Sequence, residues 1–383
     1  MSRIRVAIGI IAVLLASGYG AAVAGPSNGP SAVTHRHVDR WVMGYYPVYL
    51  RDRMPIGQID WKAMTHIVIG PALPNADGSL NTDFDAYHAH PFVRRLASTA
   101  RHHGVVPVLM IGGAGAHDGF AAAARDHRGR FVRKLITTMR HFGFAGLDLD
   151  WEPVSVGDQP ALRSLVKALR RRAPHAVLTM PVGIVTTTFP HVPKLYGWLA
   201  RRLDRINVMT YGMAGAYPGW RTWHSSALHG ATPHTPSDVG FAVGRYVHAG
   251  VPAKRLGVGV GFYGTCWAGG VTRPGQEIGS SYVAADDNVM SFTNIMSTYY
   301  TASAYHYDTS AEAPYLSYRN GKGPQHCTFI SYENQRSVAA KGAFAERRGL
   351  GSEIVWAINE GHLLGKHGTA GDPLLAAVRR SFH

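Results

Sequence analysis

The chain has 383 residues, 46% hydrophobic and 16% charged, a balance that excludes a disordered chain and leaves room for one large domain or two ordinary ones. Lys and Arg total 39 against 24 Asp and Glu, a formal charge of +15. No basic helix and no basic stretch interleaved with aromatics stands out, so the charge reads as a solvated surface and not as a nucleic-acid site.

Residues 1–24 place Arg3 and Arg5 before an apolar run from Val6 to about Ser17, and end in Ala22-Val23-Ala24. That is the layout of a secretory signal peptide with an Ala-x-Ala cleavage site. An uncleaved anchor is the alternative, but Ser17, Gly18 and Gly20 dilute the run and it is short for a membrane span. The expectation is a secreted protein, extracellular or periplasmic, with no membrane contact after cleavage. Residues 25–39, rich in Gly, Pro and Ser near their start, read as a linker.

From residue 40 to 383 apolar runs alternate with amphipathic stretches. The runs are WVMGYY (41–46), THIVIG (65–70), VVPVLMIGG (105–113), GLDLDWE (146–152), VLTMPVG (177–183), INVMTYG (206–212), LGVGVGFYG (256–264) and EIVWAIN (353–359). Candidate helices include 131–142, 161–172, 237–249 and 332–348. Several runs are apolar at both parities, as strands buried on two faces are. Eight strands alternating with helices predict an α/β fold, a closed (β/α)8 TIM barrel. Residues 268 to about 329 break the rhythm and read as a small insertion between strand 7 and its helix. Cys266 and Cys327 fall at the end of that strand and inside the insertion. In an exported chain they suit one disulfide, pinning the insertion to the barrel rim, and are too few for a metal site.

The stretch GLDLDWEP (146–153) puts Asp148, Asp150 and Glu152 at alternate positions, with Leu147, Leu149 and Trp151 between them. On a strand this gives one face of carboxylates, neighbours about 6–7 Å apart by strand rise, and one face of apolar groups. At the C-terminal mouth of a barrel such a line shares protons, and the outermost group, Glu152, is placed to stay protonated and act as a general acid. A structural reading needs Arg partners, and the inward strand positions supply almost none. A Ca²⁺ or Mg²⁺ site needs more oxygen ligands than the other strand ends offer.

These residues resemble glycoside hydrolase family 18, the chitinases and related endo-β-N-acetylglucosaminidases. The family pattern Asp-Gly-x-Asp-x-Asp-x-Glu is read here as Ala145 to Glu152, with Ala145 in place of the first acid. GYYP (44–47) resembles the first strand, with Tyr45 where the family steadies the innermost catalytic Asp. MIGG (110–113) resembles Ser-x-Gly-Gly, with Met110 replacing Ser. MTYG (209–212) resembles Met-x-Tyr-Asp, with Met209 and Tyr211 kept and Gly212 replacing Asp. FYG (262–264) resembles strand 7, and APYLSY (313–318) with residues 329–351 resembles the region before strand 8, where Trp356 matches the floor of the central sugar subsite.

The resemblance implies substrate-assisted, retaining hydrolysis, an exception among retaining glycosidases. Glu152 is then the acid, Asp150 holds the substrate's 2-acetamido N–H, Asp148 tunes Asp150, and Tyr211 orients the acetamido oxygen. Trp356, Met209, Tyr45 and Trp220 are substrate-binding candidates, with Trp223 and Trp267 as further platforms. No metal or cofactor is expected. The expected ligand is an N-acetylglucosamine polysaccharide or oligosaccharide, with N-glycans and bacterial wall glycan as alternatives, bound by a monomer. A catalytically inactive sugar-binding protein on the same barrel is the rival class.

Overall fold

The computed structural model describes residues 40–382. The expected signal segment and linker lie outside the described residues.

Eight parallel strands close on themselves: β1 (Trp41–Pro47), β2 (His66–Pro74), β3 (Val106–Gly112), β4 (Gly146–Asp150), β5 (Val177–Val182), β6 (Arg205–Val208), β7 (Leu256–Gly261) and β8 (Ser352–Trp356). Each pairs with the next in sequence, and β8 pairs with β1. Helices α1 (Ala89–His102), α2 (His117–Arg125), α3 (Arg128–Phe142), α4 (Gln159–Arg172), α5 (Leu195–Leu199), α6 (Val239–His248), α7 (Gln335–Arg347) and α8 (Pro373–Phe382) form the outer ring. The fold is the (β/α)8 barrel expected from the alternating runs, although β1 is followed by 3-10 turns and not by a full helix.

Strand parity decides what faces where. Outward side chains such as Val42, Ile67, Leu147, Leu149 and Val258 join one large core with the helices. Inward side chains form a second, smaller core of Met43, Tyr45, Val68, Val108, Met110 and Ile354. Both sets are buried, which is why the strands read as almost continuous apolar runs. The lower end of the barrel carries the inward cation Arg205, on β6. Its guanidinium lies 4.1 Å over Trp41, which stacks on His66 at 4.0 Å. Burial and this cation push His66 down to about 4.

On β7 the alternating glycines of LGVGVG all stand where a larger neighbour needs room. A Cβ at Gly257 would lie 2.2 Å from Asn207 Oδ1, at Gly259 2.7 Å from the Tyr211 ring, and at Gly261 2.8 Å from the Tyr263 ring. Strand β6 ends earlier than its apolar run. Thr210 Oγ1 donates to Gly259 O at 2.7 Å and accepts from Gly259 N at 2.9 Å. A side chain thus replaces the ladder there, and the chain turns with Tyr211 past the strand end.

Between β7 and α7 the chain forms an antiparallel sheet of five strands, in the order Tyr282–Ala285, Thr265–Ala268, Cys327–Ser331, Ala313–Lys322 and Tyr305–Asp308. Its first strand starts a few residues before the break seen in sequence, because Thr265–Ala268 is as apolar as a barrel strand. Cys266 and Cys327 are bonded, with Cα atoms 5.3 Å apart. The bond joins two neighbouring strands of the inserted sheet, where the sequence suggested a link from insertion to rim. The chain returns to the barrel through a buried ion pair. Lys341 Nζ, on α7, donates to Glu333 Oε1 at 2.6 Å and to Ser226 O at 2.9 Å.

Cysteines separated by 61 residues cost the unfolded chain about 4 kcal/mol of loop entropy when joined. Replacing both by Ser should lower the unfolding midpoint of the non-reduced protein. A non-reduced peptide map should show the two cysteine peptides linked. Two alkylatable thiols in protein prepared under oxidising conditions would contradict the pairing.

Candidate active site

Strand β4 explains the alternating carboxylates. Leu147, Leu149 and Trp151 point to the helix layer, where Trp151 stacks on Phe120 with centroids 4.7 Å apart. Asp148 and Asp150 point into the barrel, fully and almost fully buried, and Glu152 follows at the mouth, partly exposed. Gly146 lets the strand come close to β5, since a Cβ there would lie 2.3 Å from Val177 O.

Burying carboxylates is expensive unless hydrogen bonds or protons compensate. Asp148 has the bonds. Tyr45 Oη donates to Oδ2 at 2.7 Å and Thr179 Oγ1 donates to Oδ1 at 2.5 Å. Burial still pushes Asp148 up to about 6, against the pull of those donors. Asp150 is held well above the carboxylate range, first by burial and then by the negative charges of Glu152 and Asp148. Its Oδ1 has no hydrogen-bond partner among the described residues. Glu152 is raised by burial and lowered by a hydrogen bond with Asp150. Asp150 and Glu152 are therefore a coupled pair, both held above the usual carboxylate range, as the sequence pattern suggested for an acid line of this kind. The deeper group is the more desolvated and lies between two charges.

The MIGG segment makes the approach to Asp150 possible. Gly112 and Gly113 have φ of +93° and +116°, and a Cβ at Gly112 would lie 2.3 Å from Asp150 O. Gly113 N donates to that oxygen at 2.8 Å. Met110, where the family pattern has Ser, faces inward and packs in the inner core beside β4.

Tyr211 and Tyr263 meet edge to face with centroids 6.0 Å apart. Burial, reinforced by neighbouring charges that include Glu152, keeps both phenols protonated. Tyr45 is likewise kept as a donor, mainly by burial. Trp356 lies 5.6 Å from the Tyr45 ring, and Met209 joins the same inner cluster. The structure thus gathers Asp148, Asp150, Glu152, Tyr45, Met209, Tyr211 and Trp356 around one barrel mouth. Trp220 stands apart, on the loop after β6, with Tyr217 at 4.8 Å. Trp223 and Trp267 do not serve as platforms: Trp223 Nε1 bonds Ser237 O and its ring packs on Ala227, Ala311 and Ala313, and Trp267 is fully buried in the inserted sheet.

Two of the departures from the family pattern have structural explanations. Ala145 lies at the entry to β4, exposed and of the opposite parity to the acids, so losing an acid there leaves the mouth untouched. Gly212 has φ +61°, and a Cβ on it would lie 2.8 Å from Tyr263 Oη. The tyrosine hydroxyl occupies the space an aspartate would need.

Three contributors escaped the sequence reading. Thr179 was detectable as a hydroxyl at an inward position of β5. Tyr263 appeared only as part of FYG. Asp287, in the insertion, accepts from Trp356 Nε1 at 2.9 Å. It lies in a segment with no periodicity, so nothing in the sequence pointed to it.

A barrel with a buried, proton-sharing acid line at its C-terminal mouth defines a glycosidase-like site. Residues 41–361 match the family model "Glycosyl hydrolases family 18", and the chain belongs to that family of glycoside hydrolases. It is 27% identical over 271 residues to Chitinase A1 of Niallia circulans, covering 62% of this chain and 38% of that one. It is 24% identical over 391 residues to Endochitinase 1 of Metarhizium robertsii, covering 91% and 88%. The Group IV chitinase of Ostrinia furnacalis in complex with allosamidin superposes with a TM-score of 0.74 at 23% identity, over 89% of this chain and 98% of that one. The Cycas revoluta chitinase in complex with (GlcNAc)3 gives 0.72 at 22%, over 90% and 100%.

The raised Asp148 has a consequence for stability. The folded state binds a proton more tightly than the unfolded chain, so this group lowers stability as pH rises from about 4 to about 6. Asp148→Asn removes that dependence. The variant should gain on the parent across this window by up to about 3 kcal/mol, less the loss at one of its two hydroxyl donors. Denaturant titrations at several pH values measure it. A gap between variant and parent that is constant with pH would contradict the assignment.

Proposed function

We propose that this chain is a secreted glycosidase that cleaves β-1,4-linked N-acetylglucosamine glycans, chitin or a chitin-like polymer, with retention of configuration. The observation that carries the reading is the buried, coupled line Asp148–Asp150–Glu152 at the barrel mouth, with every member raised by burial. The ligands named for the similar structures, allosamidin and (GlcNAc)3, support a substrate of this class.

The coupling of Asp150 to Glu152 suggests how substrate arms the site. A bound 2-acetamido N–H donates to Asp150 and stabilises its ionised form. The proton then favours Glu152, which becomes the acid that protonates the glycosidic oxygen. The acetamido carbonyl oxygen attacks the anomeric carbon as the glycosidic bond breaks, giving an oxazolinium-like intermediate. Negative Asp150 balances its charge, and the Asp148 carboxylate, fixed by Tyr45 and Thr179, tunes Asp150 from behind. Tyr211 donates to the acetamido oxygen and fixes its direction. Glu152, now deprotonated, takes a proton from the water that opens the intermediate. Two displacements at one carbon give net retention. Trp356, pinned by Asp287, supplies the sugar floor.

Glu152→Gln should lower turnover of an N-acetylglucosamine oligomer by at least roughly 10²–10⁴-fold while leaving oligomer binding intact. Parent-like turnover on a substrate with a poor leaving group would remove Glu152 from its role. Oligomer binding by a parent protein that does not hydrolyse would favour the inactive sugar-binding class instead. Parallel incubations with chitin oligomers, N-glycoprotein and wall glycan separate the candidate substrates.

Stereochemistry tests the nucleophile. NMR of fresh hydrolysate should show the β-anomer first, and de-acetylated sugar at the cleavage position should be inert. Initial α-anomer would mean direct attack by water and an inverting reaction.

A further inference from the structure

The positive charge of the chain is concentrated in one sector. Residues 159–255 carry thirteen Lys and Arg against two acids, Asp204 and Asp238, so they hold +11 of the formal +15. Both acids are engaged locally. Asp204 accepts from Arg170 and from Leu178 N, and Asp238 caps α6 and binds Ala231 N. The sequence reading of a solvated basic surface does not show where these cations meet: Arg205 lies inside the barrel, whereas those of α4, α5 and α6 come from separate helices.

A cleft of about 530 Å³ opens on the outer wall between α5 and α6, lined by Lys194, Arg201, Arg245, His191, His248 and Trp198, with no acidic side chain among its lining residues. Its floor depends on Gly197, where a Cβ would lie 2.7 Å from Ala249 O, so α5 sits directly on the end of α6. Two of these cations are held by backbone carbonyls and not by carboxylates. Arg245 Nε donates to Pro190 O at 2.7 Å, and Arg201 donates to Gly197 O at 3.1 Å. Around Trp198 the charge continues onto α4. The Arg202, Arg163 and Lys167 head groups lie 3.9, 4.8 and 5.7 Å from its ring.

We propose that this wall binds an anionic polysaccharide chain, separately from the active site. Cations gathered in a cleft with no carboxylate in its lining repel one another, and a polyanion relieves that repulsion while releasing its own counterions. An open cleft that runs on into a row of further cations suits a ligand with repeated charges better than a single small anion. Nucleic acid is the less suited polyanion. Single strands need bare aromatic faces for base stacking, and the cleft's one aromatic ring already carries cations.

The test uses heparin and polygalacturonate as probes, titrated into the protein at several salt concentrations. The triple variant Lys194→Ala, Arg201→Ala, Arg245→Ala should bind both at least tenfold more weakly. The slope of log K against log salt should become shallower by about one per cation removed. An Arg133→Ala, Lys134→Ala variant on α3 should bind like the parent, and both variants should keep the parent's unfolding midpoint. Failure of the parent to bind either probe at low salt would overturn the proposal. So would equal binding by parent and triple variant, equal losses in the triple and α3 variants, or tighter binding to DNA than to both polysaccharides. None of these readouts depends on hydrolysis, so the wall and the active site stand or fall separately.

Discussion

Burying three carboxylates on one strand is the constraint around which the rest of the barrel is arranged. Each ionised oxygen removed from water must gain a donor or a proton. Asp148 gains two hydroxyls, and those hydroxyls must come from the strands on either side of the interior, Tyr45 on β1 and Thr179 on β5. Asp150 is instead coupled to Glu152, and burial raises both. The line is therefore neither a row of independent acids nor a structural ion-pair network. Its members are held by hydroxyl donors and by their own coupling.

Space for the side chains around the acid line is made by what is missing from neighbouring strands. Glycines on β7 accept the bulk of Asn207, Tyr211 and Tyr263, and Gly112 and Gly113 let β3 close on Asp150 without a side chain in between. An added methyl at Gly259 would press on Tyr211, and overpacking of this kind typically costs 1–3 kcal/mol. The inner core is small because the upper interior is given to polar groups. The outer core, between strands and helices, holds most of the buried apolar side chains.

The architecture and the acid line were legible from sequence because both are periodic. Alternating runs mark strands, and parity alone sends Asp148, Asp150 and Glu152 to one face. Parity also separates Ala145 from them. Where contacts depend on distant loops, the sequence was silent. Asp287 reaches Trp356 from a segment with no repeat, and Trp267, an even candidate for a sugar platform, lies in the core of the inserted sheet. How strongly burial raises each acid also escaped the pattern, because spacing along a strand does not encode desolvation.

The basic wall and the acid line act on different length scales. Exposed charges are screened over about 8 Å at physiological ionic strength, whereas the carboxylates sit inside the strand cylinder and the wall cations outside the helix layer. None of the wall cations is among the groups that shift Asp148, Asp150 or Glu152. The inward cation Arg205 is held at the opposite end of the barrel by Trp41 and Gly351 O. Placing a cation nearer would stabilise ionised Asp150 and release its proton before substrate arrived. The fold thus keeps its strong positive field on the outside, where it can attract a polyanion, and leaves burial to set the state of the acids.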